Sequence, residues 1–174
     1  MKTFARLAII CSVMAFALIL PSRAFADTGI QLRVPYQGVT NDGALKGGAS
    51  GSGVLLSFGL DAGTTVGLLS EMINFTDNNV AGTYNVNAIR ISKDILDPLF
   101  VAVDLGSAAN AVRQATLADV AFGAHLLGSK GKVNSYLNVE VLYRILNPGA
   151  SFVAGGTATN YGGVSLVIGA GLSF

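Results

Sequence analysis

Apolar and polar residues alternate along most of this chain, in runs of about ten residues. Side chains of an extended strand point to opposite faces in turn, so each run reads as a strand with one oily side. Thr28 to Tyr36 sets the pattern, with Ile30, Leu32, Val34 and Tyr36 opposite Gln31, Arg33 and Pro35. Similar runs span Ala49–Leu60, Thr64–Phe75, Tyr84–Ser92, Leu99–Ser107, Thr116–Leu127, Val133–Ile145 and Asn160–Phe174. The third is less regular, since Val66, Leu68 and Met72 share a face with Ser70. In the fourth the phase slips. Tyr84, Val86 and Ala88 match, then Ile89 and Ile91 take over around Arg90. Either a β-bulge near Ala88 or a register other than the simple alternation accounts for it.

Eight strands of about ten residues have the length of tilted membrane strands. The expected connectors alternate between long and short: Gln37–Gly48, Asp61–Gly63, Thr76–Thr83, Lys93–Pro98, Ala108–Ala115, Gly128–Lys132 and Leu146–Thr159. Such alternation distinguishes external loops from periplasmic turns in outer-membrane barrels. Aromatic residues fall near the strand ends, with Tyr36, Phe75, Tyr84, Tyr143 and Tyr161 toward the loops and Phe58, Phe100, Tyr136 and Phe174 toward the turns. Rings at both interfaces form girdles in such barrels, although Phe100 and Tyr136 are out of phase with the oily face and tryptophan is absent.

Composition then decides which face is outside. Charged residues make up 12% of the chain, against roughly 25% in ordinary soluble domains. A secreted soluble barrel with its oily face inward would have to coat itself with Gly, Ala and Ser. With the oily face outward, the lumen takes Arg33, Glu71, Asn85, Asn87, Asp104, Asp119, His125, Glu140 and Arg144, where opposite charges are available to pair. The chain has 22 glycines among 174 residues, which suits the narrow interior of an eight-stranded barrel.

The amino-terminal segment reads as a cleaved secretion signal over residues 1–26: Lys2 and Arg6, an apolar run from Leu7 to Leu20, and Ala24-Phe25-Ala26 before cleavage. Residues 27–174 form one domain. The sole cysteine, Cys11, lies in the signal, so the mature chain has no disulfide and no thiol chemistry. Removing Lys2, Arg6 and Arg23 from eleven basic residues against ten acidic ones leaves a mature charge of −2, which disfavours nucleic acid as a partner. No mature segment reaches the ~20 apolar residues of a membrane helix, so a bilayer is crossed only by a closed barrel.

The last run, NYGGVSLVIGAGLSF, places Val164, Leu166, Ile168, Ala170, Leu172 and Phe174 on one face, with Val167 the exception on the other. It resembles the closing strand and terminal-aromatic assembly signal of bacterial outer-membrane β-barrels, of the small eight-stranded OmpA/OmpX kind. The resemblance implies an all-β, antiparallel, up-and-down transmembrane barrel in the outer membrane, closed by the last strand against the first. It also implies contact with outer-membrane lipid, and recognition of Leu172 and Phe174 by the barrel-assembly machinery.

Candidate chemistry is sparse. His125, with Ser129 and Glu140 near in sequence, invites comparison with barrel lipid A deacylases, but Leu127 stands where their His-x-Ser serine belongs. His125 is read as structural. Glu140 and Arg144 lie four apart on the lumen face, as members of an ion-pair network or as a pore constriction. Asp77-Asn78-Asn79-Val80-Ala81-Gly82 resembles the start of a calcium loop but lacks its distal glutamate, and it reads as a polar loop. Gly51-x-Gly53 and Gly169-x-Gly171 precede no helix and are no phosphate sites. The sequence thus leads to a non-enzymatic envelope barrel with no cofactor and no metal, whose loops Gln37–Gly48 and Leu146–Thr159 face the outside or an unnamed surface partner. A narrow channel is the alternative, ahead of a lipid-modifying enzyme or a soluble carrier of an apolar ligand.

Overall fold

The computed structural model describes residues 28–40, 45–61, 63–129, 133–148, 151–156 and 160–174. The segment read as a secretion signal lies outside the described residues. Eight antiparallel strands form one closed barrel in sequence order: β1 (Thr28–Thr40), β2 (Leu45–Asp61), β3 (Thr64–Asp77), β4 (Val80–Leu96), β5 (Leu99–Ala109), β6 (Gln114–Ser129), β7 (Asn134–Asn147) and β8 (Gly163–Ser173). The described residues contain no helix long and apolar enough to cross a membrane.

β8 closes the ring against β1, from Gly29↔Ser173 to Thr40↔Gly163. Thr28 and Phe174 extend the seam by exchanging backbone hydrogen bonds, 3.0 Å from Thr28 N to Phe174 O and 2.9 Å from Phe174 N to Thr28 O. Closure gives each strand a hydrogen-bonded neighbour on both sides.

The eight expected strands are all present, and most run farther toward the loop side than the alternation suggested. The expected alternation of long and short connectors disappears as a result. β3 and β4 are joined by Asn78 and Asn79 alone, whose φ angles of 49° and 64° are the two positive values that a two-residue hairpin of the right twist requires. The calcium-loop resemblance thus resolves into a hairpin turn. Only the β7–β8 connector, residues 148–162, remains long. Stretches read as loops, such as residues 37–40, instead continue the ladder, because strand pairing satisfies their backbone groups as well as water would.

β4 has no bulge against β3. Its register runs unbroken from Thr64↔Lys93 to Asp77↔Val80. Tyr84, Val86, Ala88 and Arg90 all point inward, and Asn85, Asn87 and Ile89 point outward. The phase slip was an effect of polarity: this strand presents apolar side chains to the bore near its loop-side end. Asn85 and Asn87, expected in the lumen, belong to the outer surface, where Asn87 accepts a 3.1 Å hydrogen bond from Ser70 Oγ.

Elsewhere the two faces divide as charge patterning requires. Every strand contributes an exposed large apolar side chain to the exterior: Leu32, Leu56, Leu68, Ile89, Leu105, Phe122, Val141 and Ile168. Leu32 is 64% exposed, whereas its neighbour Arg33 is 1% exposed. Of the expected aromatic girdles, Tyr36 and Tyr143 on the loop side and Phe58 and Phe174 on the turn side lie outward. Phe75, Tyr84, Tyr161 and Phe100 are buried in the bore instead. Glycines in the wall let large lumen side chains lie flat against it. A Cβ at Gly123 would collide with the Phe100 ring, and one at Gly169 with Gln31 and Asn138.

Candidate functional site

Three arginines and four carboxylates form a layer across the bore. Arg33 on β1 donates from Nε to Glu71 Oε1 at 3.0 Å and from Nη1 to Glu140 Oε1 at 2.7 Å. Arg90 on β4 donates from Nη2 to Glu140 Oε2 at 2.6 Å, and its Nη1 lies 3.5 Å from Asp104 Oδ2. Arg144 on β7 donates to Asp119 Oδ2 at 2.8 Å and to Glu71 Oε2 at 3.0 Å through Nη2, with Nε also toward Asp119. All seven side chains are almost wholly buried. Glu71 and Glu140 each bridge two arginines, so the layer is a connected network spanning β1, β3, β4, β5, β6 and β7. Asp104 and Asp119 are direct cross-strand partners, and each has its own guanidinium. Removing one member of such a network leaves another charge buried and unpaired, the costliest outcome for an ion pair.

The network contains six of the nine polar lumen residues expected from sequence: Arg33, Glu71, Asp104, Asp119, Glu140 and Arg144. It differs from expectation in three ways. Glu140 and Arg144 share the lumen face but do not pair, since four residues along a strand span roughly 13 Å. Arg90 was missed because the apparent phase slip obscured its direction. A fixed alternation counted from Tyr84 would have found it. His125 is not in the network. It is half-exposed at the turn-side end, stacked on Phe100 with centroids 4.8 Å apart and edge-on to Tyr136 at 5.9 Å. Its Nε2 lies 3.6 Å from Asp94 Oδ1.

Below the layer, Gln31 Nε2 donates to Asn138 Oδ1 at 2.9 Å, and Asn138 Nδ2 donates to Glu140 Oε1 at 3.0 Å. From here a cavity of about 540 Å³ opens to the turn-side end, with Arg90 and Glu140 deepest and Asp94, Asp97 and His125 among its lining residues.

Above the layer the bore is filled. The β7–β8 connector, expected to meet the outside, turns Phe152 inward, where it stacks on Tyr84 at 4.7 Å and meets Tyr161 edge-on at 5.3 Å. Phe75 packs edge-on against Tyr161 at 4.9 Å. The connector is pinned at three points: Gln37 Nε2 donates to the Tyr161 carbonyl at 2.7 Å, Asn110 Nδ2 to the Phe152 carbonyl at 2.8 Å, and Asp77 Oδ2 accepts from Ser151 Oγ at 2.7 Å and Tyr161 OH at 2.9 Å. Burial, with the Asp77 carboxylate beside it, pushes the Tyr161 hydroxyl up to about 12.

Among the described residues no group of His, Cys, Asp and Glu is placed to hold a metal ion. Leu172 and Phe174, expected to carry an assembly signal, face outward at the β1–β8 seam. Compared with protein-family models and with curated proteins, the chain matches none.

Proposed function

We propose that this chain is a non-enzymatic integral β-barrel of the bacterial outer membrane, exported through its amino-terminal segment and assembled through the strand that bears Leu172 and Phe174. One observation carries the reading: large apolar side chains ring the outside of all eight strands, while the charges lie within. A continuous apolar ring is far larger than the few hundred Å² tolerated as a patch on soluble monomers, and it matches the lipid-facing band of membrane barrels. The ion-pair layer and the aromatic cap supply this barrel with a packed interior, as a structural or surface-interaction role requires.

The test is cell fractionation followed by gels of heated and unheated samples. The protein is expected in the outer-membrane fraction, with a migration that shifts on boiling. Recovery as a folded monodisperse species in buffer without detergent would sink the proposal. Ile168→Arg probes the same point, because Ile168 flanks the charged layer on the outer face. It is expected to cost about 2–4 kcal/mol if the site faces the hydrocarbon core, read from denaturant midpoints in lipid vesicles.

A second reading, a narrow channel, draws on the turn-side cavity that reaches the charged layer. Discrete conductance in planar bilayers that changes in Glu140→Ala would support it. Silent bilayers would leave the sealed barrel.

A further inference from the structure

The charged layer does not balance. Three guanidinium groups, Arg33, Arg90 and Arg144, face four carboxylates, Glu71, Glu140, Asp104 and Asp119. Were all seven ionised, one negative charge would be left in excess inside the wall. Lys93, the other buried cation among the described residues, does not make up the difference. It is bonded to Asp61 and Thr64 on the turn side.

The excess falls on one residue. Glu71 and Glu140 each accept from two arginines, and Asp119 accepts three hydrogen bonds from Arg144. Asp104 accepts none. It is 0% exposed, and neither of its carboxyl oxygens has a hydrogen-bond partner. Arg90 comes nearest, with Nη1 3.5 Å from Oδ2, but its Nη2 engages Glu140 at 2.6 Å. Across the ladder Asp104 faces Asp119 directly, and side chains so paired have Cβ atoms roughly 5 Å apart on one face. Two ionised carboxylates in those positions repel each other. A buried charge without adequate partners takes its neutral form instead.

We propose that the layer binds one proton, carried by Asp104 as a neutral carboxylic acid beside the ionised Asp119. Protonation makes Asp104 a donor as well as an acceptor. Its hydroxyl then serves Asp119 across the ladder, and its carbonyl oxygen is left to Arg90 Nη1. Asp119 stays ionised because Arg144 holds it. Three cations now meet three anions. The turn-side cavity reaches Arg90 and Glu140, so solvent, the source of the proton, comes within one side chain of Asp104. A layer without net charge offers a passing ion no counter-charge, which favours a sealed bore over a channel. The site requires only the closed barrel and is independent of what surrounds its outer face.

Asparagine keeps the shape of the acid form, with an amide nitrogen to donate and a carbonyl oxygen to accept. On the full chain in an amine-oxide detergent, Asp104→Asn is expected to keep the heat-dependent gel shift and to unfold at the same or a higher denaturant midpoint. Asp119→Asn, which strips Arg144 of its ionised partner, is expected to unfold at a clearly lower one. Infrared spectra at about pH 6, where ordinary aspartates and glutamates are almost wholly ionised, read the proton directly. The natural chain is expected to show the C=O stretch of one carboxylic acid that Asp104→Asn lacks. Absence of that band, its persistence in folded Asp104→Asn, or a loss of stability or folding in Asp104→Asn as large as in Asp119→Asn would each overturn the proposal.

Discussion

On the loop side of the charged layer, the bore is packed with Phe75, Tyr84, Phe152 and Tyr161. On the turn side the same bore opens into a cavity with serines, two asparagines and a half-exposed histidine in its walls. Both halves are built by the same eight strands at the same width. The loop-side half gains a stopper because the β7–β8 connector folds back into it. The connectors at the other end are too short to return. A barrel of this size is therefore solid or hollow according to one loop, and the charged layer separates the two regimes.

That contrast can be broken most forcefully at the divider. Arg144→Ala strands Asp119 and deprives Glu71 of one of its two arginines, and a loss of about 3–5 kcal/mol is expected, measured by denaturant unfolding of the barrel in lipid vesicles. Next, Phe152→Ala removes the centre of the loop-side stack. About 3 kcal/mol is expected, together with faster proteolysis of the β7–β8 connector. The matching truncation below the layer, Tyr136→Ala, is expected to cost only about 1 kcal/mol, because Tyr136 borders a void and packs on fewer neighbours. Equal losses for Phe152→Ala and Tyr136→Ala would erase the distinction between a packed half and an open half.

The mildest probe is pH. The Tyr161 hydroxyl is raised in the folded state to about 12, above the ordinary value near 10. Its contribution is complete below pH ~10 and is lost as pH climbs through the folded value. Ultraviolet titrations of the natural chain and of Tyr161→Phe should differ by one tyrosine that ionises late, coincident with loosening of the connector.

The sequence revealed the wall better than the filling. Strand number and place were legible because outward residues such as Leu32, Val141 and Ile168 face one uniform environment, and alternation reports it directly. Inward residues face two environments. Arg33, Glu71 and Glu140 stand out as charges on a lumen face, but Tyr84 and Val86 are lumen residues that look like exterior ones. Polarity alone assigned them to the wrong side and carried Asn85 and Asn87 with them. Which acid meets which arginine depends on register across strands. The pairing of Arg90 with Asp104 and Glu140 therefore had no local signature. The inward fold of the β7–β8 connector was equally hidden, since Phe152 lies among glycines, alanines and threonines that read as an ordinary loop.

Closure of β8 on β1 has a consequence for biogenesis. Arg33, near the start of the described chain, finds Glu140, 107 positions farther along, only after the strands between them have been threaded into place. A partly assembled sheet thus exposes uncompensated guanidinium and carboxylate groups along its concave side. Until the ring zips shut, the intermediate is electrostatically unsuited to hydrocarbon, so completion of the circle and neutralisation of its interior are a single event.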